Sequence, residues 1–232
     1  MKTLWIQGSW GPRADHPADC AGALIDVMAA LRELHPAYAS LYRPRRRGRD
    51  PRTPMPEDVA GIKAAIEAGV IRNDTDRAIM EGAGFSTAWN DDTRRFDQAS
   101  VSVDCGSINL GNGVTAVVPP EIGDQGGTAT AVEGVLSAIA SGFAPAWAGV
   151  YDPSDQRSID SFYRKIPIVG WMLFLPSPLP LVPATATRIE RWDSGTLYVT
   201  TEDWFNPDDR SHVEAALRLE HELTAAGVLH PG

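Results

Sequence analysis

The side chains best suited to chemistry are few and scattered. Cys105 and Ser107, in the run CGSIN (105–109), are the nearest approach to a nucleophile turn. A nucleophile presented on a strand-to-helix elbow needs the GxSxG arrangement, and this run lacks it. The five histidines that would have to supply a base stand at 16, 35, 212, 221 and 230. His16 and His35 each precede a proline, which reads as a helix boundary with local capping. EHE around His221 is half of a zinc-binding helix motif, with no second histidine four residues away. The glycines of GNG (111–113) are not followed by the Lys-Ser or Lys-Thr pair of a phosphate loop, and they read as a hairpin turn. Cys20 and Cys105 match neither a metal spacing nor CxxC, and read as buried thiols in a reducing compartment. No catalytic set, cofactor site or metal site is expected.

Carboxylates are the abundant functional groups. Asp and Glu number 30 against 21 Lys and Arg, a formal net charge of -9. RPRRRGRDPR (43–52) alone carries six arginines and one aspartate, and the rest of the chain has 29 acids against 15 bases, a net of -14. Such a body repels nucleic acid, and it either favours a basic protein partner or serves only solubility. The most apolar window, IPIVGWMLFLPSPLPLVPA (166–184), holds five prolines and cannot form a membrane helix. Its PxxP spacing, Pro180 to Pro183, reads as an edge strand or ordered loop. MKTLWIQGSW has too short an apolar run for a secretory signal, so a cytoplasmic protein without a membrane partner is expected. Seven tryptophans, at 5, 10, 89, 147, 171, 192 and 204, fall mostly in strand-like segments. Tryptophan serves both as interface anchor and as core filler.

The elements that must position these groups follow from periodicity. Leu4 to Trp10 alternates as a strand, ended by Pro12. A helix from Pro17 lines up Cys20, Leu24, Val27, Leu31 and Leu34 on one face. A second helix is expected from Pro56 to Gly69, burying Val59, Ile62 and Ile66. Strands follow at 84–89, 100–105 and 114–118, and PPEIGDQGG (119–127) offers an internal hinge. A third helix carries Val132, Val135, Leu136, Ile139 and Phe143. Strands at 146–151 and 170–175 precede a hairpin over 188–201 turning at Asp193-Ser194-Gly195. The last helix has Asn206 as cap and Pro207 as first residue, and ends at Gly227. Short turns between consecutive strands predict an α+β fold: a largely antiparallel sheet with helices packed against it, in one compact domain over 1–232 made of two loosely similar halves.

Four blocks in this order carry a resemblance. WIQGSWGPR (5–13) with the following helix and LRELHPAYASLY (31–42), GFSTAWN (84–90), GWMLFLP (170–176) and the carboxy-terminal stretch from Gly195 to Leu229 resemble the immunity protein 52 family. Tyr42 stands where that family commonly has a tryptophan, and the arginine run is a local elaboration. The resemblance implies a bacterial immunity protein of a polymorphic-toxin or type VI secretion system. Its partner would be a cognate toxin encoded in an adjacent gene, with a restriction-endonuclease-like nuclease domain, neutralised by stoichiometric binding. The protein itself would be a non-enzymatic monomer or homodimer. The acidic loops are the expected rim of the toxin-binding surface: Asp91, Asp92, Asp152, Asp155, Glu202, Asp203, Trp204, Asp208 and Asp209. Two other readings stand beside it. One is a small enzyme using Cys105, Ser107 or carboxylates in a cleft with His212 or His221. The other is an adaptor using the proline-rich and arginine-rich loops.

Overall fold

The alternating stretch Leu4–Trp10 forms a strand, and it sits at the centre of the sheet. A computed structural model describes residues 3–45, 51–73, 75, 78–92, 98–124, 128–153, 167–176 and 186–229. Among them run eight strands: β1 Leu4–Trp10, β2 Phe85–Asn90, β3 Ser100–Cys105, β4 Asn112–Val118, β5 Trp147–Tyr151, β6 Met172–Pro176, β7 Arg188–Trp192 and β8 Gly195–Val199. They make one sheet in the order β2-β3-β4-β1-β5-β6-β8-β7, with every neighbouring pair antiparallel. Five helices pack with it: α1 Pro17–Leu34, α2 Val59–Glu67, α3 Pro120–Asp124, α4 Ala129–Phe143 and α5 Arg210–Ala225. The molecule is an α+β single domain. The expected halves share the sheet through β1, which bonds to β4 on one side and β5 on the other.

Burial follows what covers each strand. β3 and β4 alternate buried residues with half-buried or exposed ones, as strands with one covered face do, while all five residues of β5 and of β8 are buried. The α1 stripe Cys20, Leu24, Val27, Leu31 and Leu34 is buried, as is the α4 stripe Val132, Val135, Leu136, Ile139 and Phe143. The two helices pack on each other, and α4 lies over β1 and β5. Gly8 makes this approach possible, since a Cβ there would fall 2.5 Å from Ile139 Cγ2. All seven tryptophans belong to this core. Trp10, Trp89, Trp147 and Trp171 are buried, and Trp5, Trp192 and Trp204 pack against them half-buried.

Two helix starts differ from expectation, for one reason. α2 begins at Val59, because the Asp58 carboxylate accepts the Gly61 amide at 2.8 Å and takes the cap position that Pro56 had suggested for the first turn. Val59 consequently opens the helix on its outer side, 44% exposed, while Ile62 and Ile66 face inward. α5 begins at Arg210 with Asp209 as cap, and Asn206 closes a turn just before it by accepting the Asp209 amide on its carbonyl. Of the proposed hinge segment, residues 120–124 form α3 with Ile122 buried, and 125–127 lie outside the described residues. No helix among the described residues is long and apolar enough to cross a membrane.

Gly8→Val places an isopropyl group against α4. Unfolding in urea, followed by tryptophan fluorescence, should show a loss of about 1–3 kcal/mol, as for an overpacked core. An unchanged midpoint would mean that α4 can move away at no cost.

Candidate functional site

At one end of the sheet β1 finishes, β4 begins, β3 finishes and β2 begins, so three connecting segments meet there. Asn112, fully buried, is their hub. Its Oδ1 accepts the Ser107 amide at 2.9 Å, and its Nδ2 donates to the carbonyls of Gly11 (2.9 Å) and Ser107 (3.2 Å). The Arg13 amide donates to the same Ser107 carbonyl at 2.8 Å, which fixes the Gly-Pro-Arg turn against the loop 106–111. That loop grips residues 81–84 in turn. The Gly82 carbonyl accepts from the Ile108 amide (3.0 Å) and the Ser107 hydroxyl (3.2 Å), and Asn109 Nδ2 donates to the Glu81 carbonyl at 3.3 Å. Gly84 has φ +79°, and a Cβ there would collide with the Cys105 carbonyl and the Ser107 amide, so only glycine closes the junction.

This knuckle of two loops displays apolar side chains to solvent. Ile79 is 58% exposed, Met80 46%, and Ile108 and Leu110 56% each. Beside it opens a cleft of about 480 Å³ lined by Ile71, Phe85, Ser86, Asp104, Asn109 and Leu110 among others. Cys105 and Ser107 also line it, so the suggested nucleophiles do reach a pocket. Neither is set up to attack. Cys105 is buried beside Cys20, and hydrogen bonding to that second thiol, then burial, push its own thiol far above the ordinary range. The Ser107 hydroxyl donates to Gly82 and accepts the Leu110 amide at 2.8 Å. Among the described residues no histidine lines the cleft. His212 stacks on Phe205 with ring centroids 5.8 Å apart and accepts the Asn206 amide at 3.0 Å, while His35 accepts the Ala37 amide at 3.1 Å. Among the described residues no three His, Cys, Asp or Glu converge as a metal site would require.

The acids expected to form a rim separate into different surroundings. Asp92, φ +58°, follows β2 and is clamped by Arg45 at 2.8 Å and Arg52 at 2.7 Å. Desolvation alone would raise its carboxyl pKa, but hydrogen bonds and charge from Arg45, then Arg52, outweigh this and hold it below the usual range. The two arginines flank residues 46–50 in sequence, so both ends of the arginine-rich segment are tied to Asp92. Tyr42 joins that segment to β2 by exchanging backbone hydrogen bonds with Asn90, and Arg52 lies over its ring at 5.3 Å. Asp91 donates its amide to the Ala99 carbonyl at 3.0 Å. Asp152 is half-buried just past β5, and Asp155 lies outside the described residues.

The remaining acids follow β8, the strand next to the other edge. Glu202 accepts from Arg188 Nε at 3.0 Å. Asp203 and Asp208 sit in turns made by Thr201 and Asn206, and Trp204 meets Trp171 edge-on at 5.0 Å. Asp209 caps α5, and hydrogen bonds from the Ser211 hydroxyl and amide lower its pKa. Seven interstrand steps separate β2 from β7, roughly 34 Å at about 4.8 Å each, so the two groups do not form one patch. Sequence reasoning missed the centre of the second group. Arg188 on β7 binds Glu133 of α4, Glu190 and Glu202 together, and its bond to Glu133 leads the interactions that raise its pKa. It also missed the knuckle, whose only sequence signal was the glycine-rich spacing around Asn112.

Residues 2–232 match the family described as Immunity protein 52. A Pseudomonas aeruginosa T6SS protein, PA0821, has a similar solved structure, with a TM-score of 0.56 at 13% identity over 99% of this chain and 75% of that one. At that identity the likeness is one of fold. A search of curated proteins finds no match.

The Asp92 clamp has a pH signature. Its folded pKa lies below the unfolded value of about 3.9, so the clamp holds fully above the unfolded value and is lost as pH falls through the folded one. Asp92→Asn should therefore show, at neutral pH, faster hydrogen exchange at the Arg43 and Met55 amides, which bond to Thr53 and Leu41 across the stem. Unchanged protection would mean that the Tyr42–Asn90 pairing holds the stem alone.

Proposed function

The chain belongs to the immunity protein 52 family, and from that premise we propose that it binds and neutralises a cognate bacterial toxin by stoichiometric protein–protein contact, without catalysis of its own. The observation that carries the reading is the family match over nearly the whole chain. The family implies a non-enzymatic, toxin-binding role, and the name of the structural neighbour supports a link to type VI secretion. The finer terms are ours. The toxin is a nuclease with a restriction-endonuclease-like domain, made from a neighbouring gene and met in the cytoplasm.

The physical support for a nuclease target is charge. A nuclease cleft must be basic to hold phosphates, and this chain carries -9. Opposite potentials raise the encounter rate well above that of neutral partners. Carboxylates at Asp91, Asp152, Asp203 and Asp208 contribute to that field, together with Asp155. Asp209 contributes as well, since a capping carboxylate keeps its charge, whereas Asp92 and Glu202 contribute less, because Arg45 and Arg52 pair with the first and Arg188 with the second.

Coexpression with the carboxy-terminal domain of the large protein encoded beside it should rescue cells from that domain, and calorimetry should give a 1:1 complex. Absence of both binding and rescue would overturn the reading. Raising ionic strength from about 0.01 to 0.15 M shortens the Debye length from about 30 to 8 Å, and the association rate should fall by about tenfold or more. A salt-independent rate would remove the steering argument and leave binding itself intact.

A further inference from the structure

We infer that the knuckle formed by residues 79–84 and 106–111 is the surface on which the toxin docks, an inference that rests on the immunity reading. Its occupant is a protein surface with an apolar centre and a protruding basic side chain. Of the six large apolar side chains exposed among the described residues, four are here: Ile79, Met80, Ile108 and Leu110. The other two, Val59 and Leu217, lie singly on α2 and α5. Single exposed apolar residues are ordinary, whereas a group on adjoining loops marks an interaction site.

Rigidity and shape point the same way. The loops are fastened through Gly82, Ser107 and Asn112, so a partner does not have to order them, and the entropic cost of binding is reduced. The cleft beside the knuckle has apolar walls at Ile71, Phe85 and Leu110 and a carboxylate at Asp104. That combination suits a lysine or arginine, whose methylenes pack on the walls while the charged head reaches the carboxylate. Glu81 and Asp104 are exposed and carry no ion pair among the described residues.

Charge also decides against the other occupants. A twofold self-contact would put like against like, with both Glu81 and both Asp104 gathered at one interface between chains of net charge -9. An anionic lipid surface would be repelled by the same groups. A basic toxin domain meets neither penalty.

Ile108→Asp and Leu110→Asp change exposed side chains on one loop, and Ile79→Asp does so on the other, so the inference does not depend on a single variant folding. Each is measured against wild type for thermal melting, sedimentation, binding to the adjacent-gene toxin domain, and rescue. Folded variants are expected to lose at least about 30-fold in affinity, mainly through faster dissociation, the scale of a central interface residue. Asp104→Lys should slow association, and Leu217→Asp, away on α5, should leave binding unchanged. Knuckle variants that melt like wild type and bind like wild type would overturn the docking surface while the immunity reading stood. So would variants that only shift the protein from dimer to monomer. Failure of the wild-type chain to bind the toxin domain would remove both.

Discussion

The sheet depends on β1 being hydrogen-bonded along both edges while a helix lies directly on it. β1 meets this demand with a glycine next to its middle residue. Gly8 is flanked across the strands by Val114 and Ala148, and Gln7 faces Gly149. The absent Cβ at Gly8 is what Ile139 occupies, so the height of α4 above the sheet is set there. On the opposite face Gln7 is buried, and Tyr151, whose hydroxyl burial keeps protonated, donates to its side-chain oxygen. A polar group so placed would cost about 1–3 kcal/mol if left unpaired.

From that contact the order is transmitted to the end of the sheet. With α4 seated, Phe143 stacks on Trp10 at 5.2 Å, and the Phe143 carbonyl accepts from the Arg13 guanidinium at 2.8 Å. Arg13 also lies over the Trp10 ring and pairs with Asp15, which accepts from the Trp10 indole. The Gly-Pro-Arg turn is thereby held where its amide meets Ser107, and Ser107 in turn organises the loops of the knuckle. WIQGSWGPR is therefore structural in two senses: it is the central strand, and its turn is the abutment for an exposed surface.

Much of this fold was legible because it is local. The spacing of Cys20, Leu24, Val27, Leu31 and Leu34 needs only the helical period to declare a buried face, and Asp193-Ser194-Gly195 declares its hairpin by turn chemistry alone. Helix starts were less legible, because a proline and an aspartate two residues later compete to begin the same helix. The aspartate won at Asp58 and at Asp209 by capturing a free amide. The site was least legible of all. Asp92 reads as a free acid until Arg45, 47 residues away in sequence, is brought beside it. Ile108 and Leu110 read as ordinary loop residues, since exposure is decided by what packs around them and not by their own periodicity.

The scatter of acids over the sheet separates two tasks that one patch need not perform. Long-range attraction acts through the summed field of the molecule, so a carboxylate can speed encounter without touching the partner. Lifetime depends on short-range exclusion of water, which is local by nature. A standard interface covers about 800 Å² on each partner, roughly 30 Å across, so groups near β2 and near β7 cannot both lie at its centre. An acidic body that attracts, with a compact apolar knuckle that holds, satisfies both requirements. It also explains why the carboxylates tied up by Arg45, Arg52 and Arg188 carry structural work at the sheet edges while Glu81 and Asp104 stand unpaired among the described residues beside the exposed apolar group.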